Sequence, residues 1–292
     1  MTVVIKVGGA RAVDPAGALA DVATIYEDGT DVALVHGGST AVDDTLERLG
    51  LEPEYVETPS GVVGRFTDAE TMAVFEMVFG RLNTQLVAGL QSQGVDAVGL
   101  NGVDGKLLYG PRKSAVRVVE GGTKKIRRGD HSGTIKQVND DLLRSLLDGH
   151  YVPVASPPMA GKEGGREGQS ASNSSSGDGP REEIVPVNTD ADRSAAAIAG
   201  ALDATLVLLT DVEGVYEDPE DPATLIDSVE TSAEWEALEA AAEGFMSRKI
   251  MAAREALEGG APEVVVADAN ADAPITSALD GDGTHMFQEA IE

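Results

Sequence analysis

Two segments near the N-terminus join a strand-like apolar run directly to a pair of glycines. They are Val3-Val4-Ile5-Lys6-Val7-Gly8-Gly9 and Val32-Ala33-Leu34-Val35-His36-Gly37-Gly38. Glycines at the end of a buried strand let backbone N–H groups approach an anion, and a helix that begins next adds the positive end of its dipole. Lys6 adds an ammonium group, but the spacing matches neither the G-x-x-x-x-G-K-[ST] phosphate loop nor the G-x-G-x-x-G fingerprint. The two turns predict two backbone anion sites, and hence phosphate chemistry by another route.

Three segments of the C-terminal half carry further candidate groups. Asn188-Thr189-Asp190-Ala191-Asp192 runs from a strand end into an alanine-rich helix, where the carboxylates could simply cap the helix. Leu208 to Tyr216 is a strand followed by an acidic, glycine-containing turn, the position at which open α/β sheets bind nucleotides. Gly244 to Ile250 opens a helix on which Lys249 would point back toward the N-terminal end, unless it is an ordinary surface lysine.

The elements that must position these groups alternate along the chain. Apolar runs predict strands at 3–7, 32–36, 95–100, 151–155, 205–210 and 263–267, and helical periodicity predicts helices at 39–49, 68–91 and 190–200. This alternation predicts an α/β fold with a mainly parallel sheet. The length of 292 residues allows one large domain. Residues 161–183 are rich in glycine, serine and acidic residues, which predicts a flexible surface insertion.

Charge is distributed very unevenly. The chain has 50 acidic and 22 basic residues, a net charge of -28, yet residues 101–137 alone carry +6 and leave -34 for the remainder. This basic window contains a Gly121-Gly122 turn between alternating apolar positions, which predicts a β-hairpin with one basic face. Such a face is either a local counter-charge to the acidic body or a docking surface for an acidic partner. The candidate docking residues are Arg112, Lys113, Arg117, Lys124, Lys125, Arg127 and Arg128.

Composition excludes several classes of function. A charge of -28 disfavours binding to nucleic acid or to an anionic membrane, and the chain has eight lysines and no cysteine, a composition suited to concentrated cytosolic salt. No disulfide or thiolate metal site can form, and the four histidines are scattered, so we expect no metal centre. No apolar run approaches the roughly 20 residues that span a bilayer. We expect a halophilic, cytoplasmic protein.

The ordered motifs together resemble the amino acid kinase family over residues 2 to about 286. The resemblance is carried by Lys6-x-Gly8-Gly9, His36-Gly37-Gly38, Arg65-Phe66-Thr67-Asp68, Asn188-x-x-x-Asp192, Thr210-Asp211-Val212-x-Gly214-Val215 and Gly244-x-Met246-x-x-Lys249. It implies the acetylglutamate kinase branch, with a single domain folded as a three-layer α/β/α sandwich and assembled as a homodimer or larger oligomer. Residues 1–160 would form the substrate-binding lobe and 184–292 the nucleotide-binding lobe. Segments 58–68, 75–78, 99–105 and 112–130 look more like the kinases whose substrate is carried by the small acidic protein LysW.

The resemblance also implies roles for individual residues. Lys6 and Lys249 would flank the transferred phosphoryl group, and Asp192 would hold both lysines. Gly37, Gly38, Arg65 and Asn188 would bind the substrate, with Arg65 on its α-carboxylate. ATP would arrive with Mg²⁺ on its phosphates. The predicted nucleotide-binding residues are Gly8, Gly9, Thr210, Asp211, Gly214 and Tyr216.

The sequence leaves the acceptor open. The resemblance implies ATP-dependent phosphorylation of the side-chain carboxylate of glutamate or 2-aminoadipate carried by LysW, in arginine or lysine biosynthesis, with a kinase of free N-acetylglutamate as the alternative. Glutamate and 2-aminoadipate differ by one methylene, worth only about 1–3 kcal/mol in a pocket. Both therefore remain candidate substrates.

Overall fold

The computed structural model describes residues 1–8, 15–59, 61, 63–164, 182–242 and 244–292. The helices are α1 (Pro15–Glu27), α2 (Ser39–Arg48), α3 (Ala69–Ser92), α4 (Asp140–Asp148), α5 (Ala191–Leu202), α6 (Ser232–Ala241), α7 (Gly244–Glu258) and α8 (Pro274–Asp280). The strands are β1 (Thr2–Val7), β2 (Asp31–His36), β3 (Tyr55–Glu57), β4 (Val63–Arg65), β5 (Ala97–Gly102), β6 (Leu108–Glu120), β7 (Thr123–Gly133), β8 (Gln137–Val138), β9 (Val152–Lys162), β10 (Ile184–Val187), β11 (Thr205–Thr210), β12 (Ser228–Val229), β13 (Glu263–Asp268) and β14 (Thr284–Phe287).

One large mixed sheet organises the molecule. Its strand order is β12-β14-β13-β11-β1-β2-β9-β6-β7, with β5 and β10 also paired to β9, and β8 to β6. The central neighbours β13, β11, β1, β2 and β9 are all parallel, whereas the pairs at the two ends include antiparallel ones. The predicted mainly parallel α/β sheet is confirmed.

Two apolar cores lie on opposite faces of this sheet. Alternate residues of one strand point to opposite faces, so Val4 packs with helices α5 and α7 while its neighbour Ile5 packs with α1 and α8. Leu206 and Val207 of β11 divide between the two cores in the same way. Each of these side chains is fully buried, and each burial contributes about 1.5–3 kcal/mol to the stability of the folded state. The result is the predicted three-layer sandwich.

Carboxylate caps fix where the site-bearing helices begin. Asp68 accepts a hydrogen bond from Thr71 N (2.8 Å) and starts α3, and Asp190 accepts from the amides of Asp192 (2.9 Å) and Arg193 (3.1 Å) and starts α5. Helices predicted at 39–49, 68–91 and 190–200 are therefore found with ends shifted by one or two residues. The strand predicted at 95–100 begins two residues later, at Ala97.

The predicted insertion is shorter at both ends than the sequence indicates. Gly161 and Lys162 belong to β9 and pair with β10, and Glu163 N donates a hydrogen bond to Glu183 O (3.1 Å). Backbone pairing thus overrides local composition at these positions. Residues 165–181, the greater part of the predicted flexible segment, lie outside the described residues. None of the described helices combines the length and apolar character that crossing a membrane requires.

Candidate active site

Strand register brings the glycine turns and the β11 turn to the same edge of the sheet. Val7 of β1 pairs with His36 of β2, and Lys6 pairs with Leu208 of β11. One or two residues further along these parallel strands lie Gly8, Gly37 and Thr210, so all three sit at the carboxyl edge. Gly9 lies outside the described residues. This edge is where parallel α/β sheets bind ligands.

Lys6, Asp192 and Lys249 come together beside the first glycine turn. Lys6 shares the strand face of Val4, which α5 and α7 cover, and those helices carry Asp192 and Lys249. The Nζ of Lys6 lies 2.5 Å from one Asp192 carboxylate oxygen, and the Nζ of Lys249 lies 3.6 Å from the other. The structure therefore assembles two ammonium groups and a bridging carboxylate from residues up to 243 positions apart.

The electrostatics of this cluster keep the carboxylate ionised. Burial acts to raise the pKa of Asp192, but the charges of Lys6 and Lys249 and their hydrogen bonds outweigh it, and the pKa lies below its ordinary value. The pKa of Lys249 is lowered, first by burial and then by the neighbouring Lys6 charge, against the opposing attraction of Asp192. Two cations share one anion here, so an added anion would be attracted to the cluster.

The second glycine turn leads into a helix whose first turn has no side-chain cap among the described residues. Gly38 is the residue before α2, and no side chain within the described ranges accepts a hydrogen bond from the first amides of that helix. The amide of Gly37, by contrast, donates to Val7 O (3.2 Å), so this predicted anion donor is engaged within the protein. A Cβ on Gly38 would lie 2.7 Å from Leu82 Cδ1 and 3.2 Å from Phe79, which explains the glycine through close packing of α3. The uncapped helix end suits a carboxylate or phosphate.

His36 orients this second turn. Its ring is buried and stacks on Phe79, with Nδ1 3.0 Å from Gly37 O and Nε2 3.3 Å from Asn83 Nδ2. Because a carbonyl only accepts and an amide NH₂ only donates, His36 must carry its proton on Nδ1. Burial lowers the pKa of His36 to about 4, although the bond to Gly37 works against this. His36 is neutral at neutral pH and holds the Gly37 carbonyl.

Arg65 lies over the beginning of α2. Its Nη2 donates to the carbonyl oxygen (3.1 Å) and hydroxyl (2.9 Å) of Ser39 and to the hydroxyl of Tyr55 (2.9 Å), and its Nη1 forms an ion pair with Asp43. Tyr55 completes the arrangement by donating to the second carboxylate oxygen of Asp43 (2.8 Å). Nε makes no hydrogen bond within the described part of the chain. Asp43 and Tyr55 thus fix the guanidinium beside the uncapped amides, a role that sequence reasoning missed.

Asn188 connects the Arg65 segment to the hairpin. Its Nδ2 donates to Thr67 Oγ1 (2.8 Å), its backbone N donates to His131 O (2.7 Å), and its carbonyl accepts from Gly133 N (2.8 Å). Asp130 accepts from the backbone amide of Thr67 (3.2 Å). Thr67, two residues after Arg65, and Asn188 therefore belong to one hydrogen-bonded unit with the root of β7.

The predicted nucleotide-binding residues occupy the turn that follows β11. Thr210 is buried at the strand end and donates to Asp211 (3.2 Å), and Tyr216 donates to Glu213 (3.0 Å). A Cβ on Gly214 would lie 2.6 Å from Thr284 Oγ1, so only glycine allows this close approach of the turn to β14. Asp211 and part of the turn are exposed. The turn borders the carboxyl edge, and no group of three or more histidine, aspartate or glutamate residues in the described ranges could hold a metal ion.

The seven candidate docking residues divide between different surroundings, which corrects the prediction of a single basic face. Arg127 pairs with Glu54 and lies over the Phe66 ring (4.0 Å), and Lys125 pairs with Glu120 (2.8 Å). Arg112 pairs with Glu163. Period-two alternation places neighbouring cations on opposite faces of the hairpin. The remaining four are exposed and form no ion pair within the described ranges: Lys113, Arg117, Lys124 and Arg128.

Comparison with known proteins finds relatives that match most of the chain. The family model described as "Amino acid kinase family" matches residues 1–268. A LysW-aminoadipate kinase of Deinococcus radiodurans is 42% identical over 97% of this chain and 90% of its own length, and one of Thermus thermophilus is 40% identical over 97% and 98%. An acetylglutamate kinase of Methanopyrus kandleri is 41% identical over 96% and 98%.

Solved structures show the same fold at low sequence identity. Carbamate kinase from Giardia lamblia bound to AMP-PNP superposes with a TM-score of 0.64 at 15% identity, covering 98% of each chain. N-acetylglutamate synthase from Neisseria gonorrhoeae gives 0.74 at 24% identity, and the match covers 99% of this chain but only 60% of that longer one. The family model and the relatives at 40–42% identity, which are named kinases, show the family and the class of reaction as well as the fold. The chain belongs to the amino acid kinase family and is a phosphotransferase.

Proposed function

We propose that the protein transfers the γ-phosphoryl group of ATP to the side-chain carboxylate of glutamate or 2-aminoadipate carried by LysW. The observation that carries this proposal is the coexistence of the Lys6–Asp192–Lys249 cluster with exposed cations that form no ion pair within the described ranges, on a chain of net charge -28. The first suits phosphoryl transfer, and the second suits an acidic carrier. The curated relatives near 40% identity include LysW-dependent kinases, which supports the same assignment.

The chemistry requires charge stabilisation more than proton transfer. A carboxylate with an ordinary pKa of roughly 4.3 is already ionised at neutral pH, so no general base is needed to form the nucleophile. The difficulty is the repulsion between this anion and the phosphates. Lys6 and Lys249 would stabilise the charge on the transferring phosphoryl group, and Asp192 would hold them at a fixed separation.

Binding of the acceptor would use the second glycine turn. The uncapped amides of α2 would receive one carboxylate, and the guanidinium of Arg65 would bind the α-carboxylate through donors that Asp43 and Tyr55 leave available. Asn188 would contact the amide nitrogen. The turn carrying Thr210, Asp211, Gly214 and Tyr216 would hold the nucleotide together with Gly8. Mg²⁺ would be held mainly by the nucleotide phosphates.

A kinase of free N-acetylglutamate is the second candidate, favoured by the relative from Methanopyrus kandleri at 41% identity. Both candidates use the same catalytic cluster, so the acceptor decides between them. An ATP-dependent hydroxamate assay at high KCl, with LysW-borne glutamate, LysW-borne 2-aminoadipate and free N-acetylglutamate as acceptors, separates them. We expect kcat/KM to be at least 100-fold higher for a carrier-borne acceptor. Equal or better use of the free compound would overturn the proposal.

A further inference from the structure

The hairpin β6–β7 has two faces of different character, and strand register defines them. Arg117 pairs with Ile126, Val119 with Lys124, and Ala115 with Arg128. Directly opposed residues of an antiparallel pair share a face, and so do residues two apart along a strand. We call the face formed by Ala115, Arg117, Val119, Lys124, Ile126 and Arg128 the outer face. The other, formed by Val116, Val118, Glu120, Thr123, Lys125 and Arg127, is the inner face.

The charges of the inner face are used within the protein. Val118 is buried against the body of the protein, and Arg127 binds Glu54 while stacking on Phe66. Lys125 is neutralised by Glu120 on the same hairpin. The contacts of Arg127 hold the hairpin in place, and the charge of Lys125 is already matched by Glu120, so neither cation is free to bind a partner.

The outer face presents cations without counter-charges. Arg117, Lys124 and Arg128 are exposed, and none has a carboxylate within ion-pair distance among the residues the structure describes. Ile126, between them, is 68% exposed, the highest value among the described large apolar side chains after the N-terminal Met1. An exposed isoleucine ringed by cations is the arrangement of an interface with an apolar centre and a charged rim.

The geometry specifies the complementary partner. Lys124 and Arg128 are four residues apart on β7, about 14 Å at the usual strand rise, with Ile126 midway. A fitting partner would present two carboxylates at about that separation on either side of an apolar side chain. A polyanion such as nucleic acid lacks the apolar element and would meet the -28 body of the chain.

The outer face is also directly connected to the substrate site. Three residues after Arg128, about 10 Å along β7, His131 O accepts a hydrogen bond from the Asn188 amide (2.7 Å). Asn188 in turn donates to Thr67, two residues from Arg65. A partner seated on the outer face would therefore lie within reach of the acceptor-binding groups.

We infer that the outer face docks the acidic carrier, with Ile126 as its apolar anchor and Arg117, Lys124 and Arg128 as the surrounding cations. Arg112 and Arg127 instead bind groups outside the hairpin, and Lys125 is paired within it. This inference rests on the proposed function and narrows it to one face and one anchor.

Adjacent lysines on opposite faces provide a matched test. Lys124→Glu and Lys125→Glu make the same change in net charge one residue apart, so any difference between them reports the face. Binding of purified LysW bearing a C-terminal glutamate is measured by calorimetry, together with the KM for this substrate, the dissociation constant for ATP and the melting temperature. We expect Lys124→Glu to weaken carrier binding at least tenfold and Lys125→Glu less than threefold, both with wild-type melting temperatures and ATP binding.

Ile126→Ser tests the apolar anchor separately, because it leaves every charge in place. We expect it to weaken carrier binding about tenfold, and wild-type binding by this variant would overturn the anchor. Equal effects of Lys124→Glu and Lys125→Glu, with turnover of the carrier-borne substrate by the wild type intact, would overturn the outer face alone. Failure of the wild type to bind or use the carrier would overturn the proposed function as well.

Discussion

At the residue scale, two nearby aspartates at the start of α5 make different contacts. Asp190 caps the helix, whereas Asp192 contacts Lys6 and Lys249. Asp192→Asn should lower kcat at least 100-fold, because two mutually repelling ammonium groups lose the anion that positions them. Asp190→Ala is the matched control and should lower the free energy of unfolding by about 1 kcal/mol while kcat changes less than threefold. Steady-state kinetics and urea unfolding measure both, and an Asp192→Asn enzyme with half the wild-type kcat would contradict the proposed role.

His36 makes the stability of the protein depend on pH. Its pKa is about 4 in the folded protein and about 6.5 when unfolded, so the unfolded chain binds one more proton between these values. The folded state therefore loses stability as pH falls through this window, by roughly 1–2 kcal/mol from pH 6.5 to pH 5. His285 works in the opposite direction, since its bond to Glu263 raises its pKa.

A comparison with His36→Gln isolates this contribution. The free energy of unfolding of both proteins is measured in urea at pH 6.5 and pH 5. The variant should be less stable than the wild type at pH 6.5, but its free energy of unfolding should fall less between pH 6.5 and pH 5. The difference between the two losses is the His36 contribution, because all other titrating groups are shared. Identical losses would show that His36 is not a buried neutral side chain.

At the scale of elements, one buried aspartate joins α1 to α8. Asp21 accepts hydrogen bonds from the amides of Ile275 (2.6 Å) and Thr276 (2.9 Å) and from the Thr276 hydroxyl (2.6 Å). Ala273, the residue before α8, offers no side-chain cap, so Asp21 replaces it. Asp21→Ala should lower the free energy of unfolding by about 2–4 kcal/mol, because buried donors lose their acceptor. The exposed Asp28 at the end of α1 is the control, and Asp28→Ala should change the value by less than 0.5 kcal/mol.

Among the elements, those that follow local sequence patterns are predictable, whereas contacts between residues distant in the chain are not. The predicted strands, the second glycine turn and the alternating hairpin are local patterns, and they are found at the predicted places. Asp21 contacts residues more than 250 positions away, and Asp43 meets Arg65 only because α2 and β4 converge, so no local pattern indicates either contact. The hairpin is an intermediate case. Alternation alone separates Lys124 from Lys125, but the register shift between Lys113 and Ala115 depends on pairing with β7.

At the scale of the whole molecule, an acidic body and a basic outer face respond to salt in opposite ways. Screening relieves repulsion among the charges of a -28 chain and should favour the folded state, but it also weakens attraction between the outer face and an acidic carrier. At 1 M salt the Debye length is only about 3 Å, so long-range steering is lost. Docking in concentrated salt must then depend on groups in direct contact, and apolar contact is not screened.

We expect opposite salt dependence for two hairpin variants. The defect of Lys124→Glu in KM for the carrier-borne substrate, at least tenfold at 0.2 M KCl, should shrink to about threefold or less at 2 M, because screening removes most of the charge contribution. The defect of Ile126→Ser should persist or grow, because burial of its apolar surface is strengthened rather than screened by salt. KM is measured for both variants, Lys125→Glu and the wild type at each concentration, with melting temperatures to confirm folding. A defect of Ile126→Ser that vanishes at 2 M KCl would mean that the docking contact is electrostatic throughout.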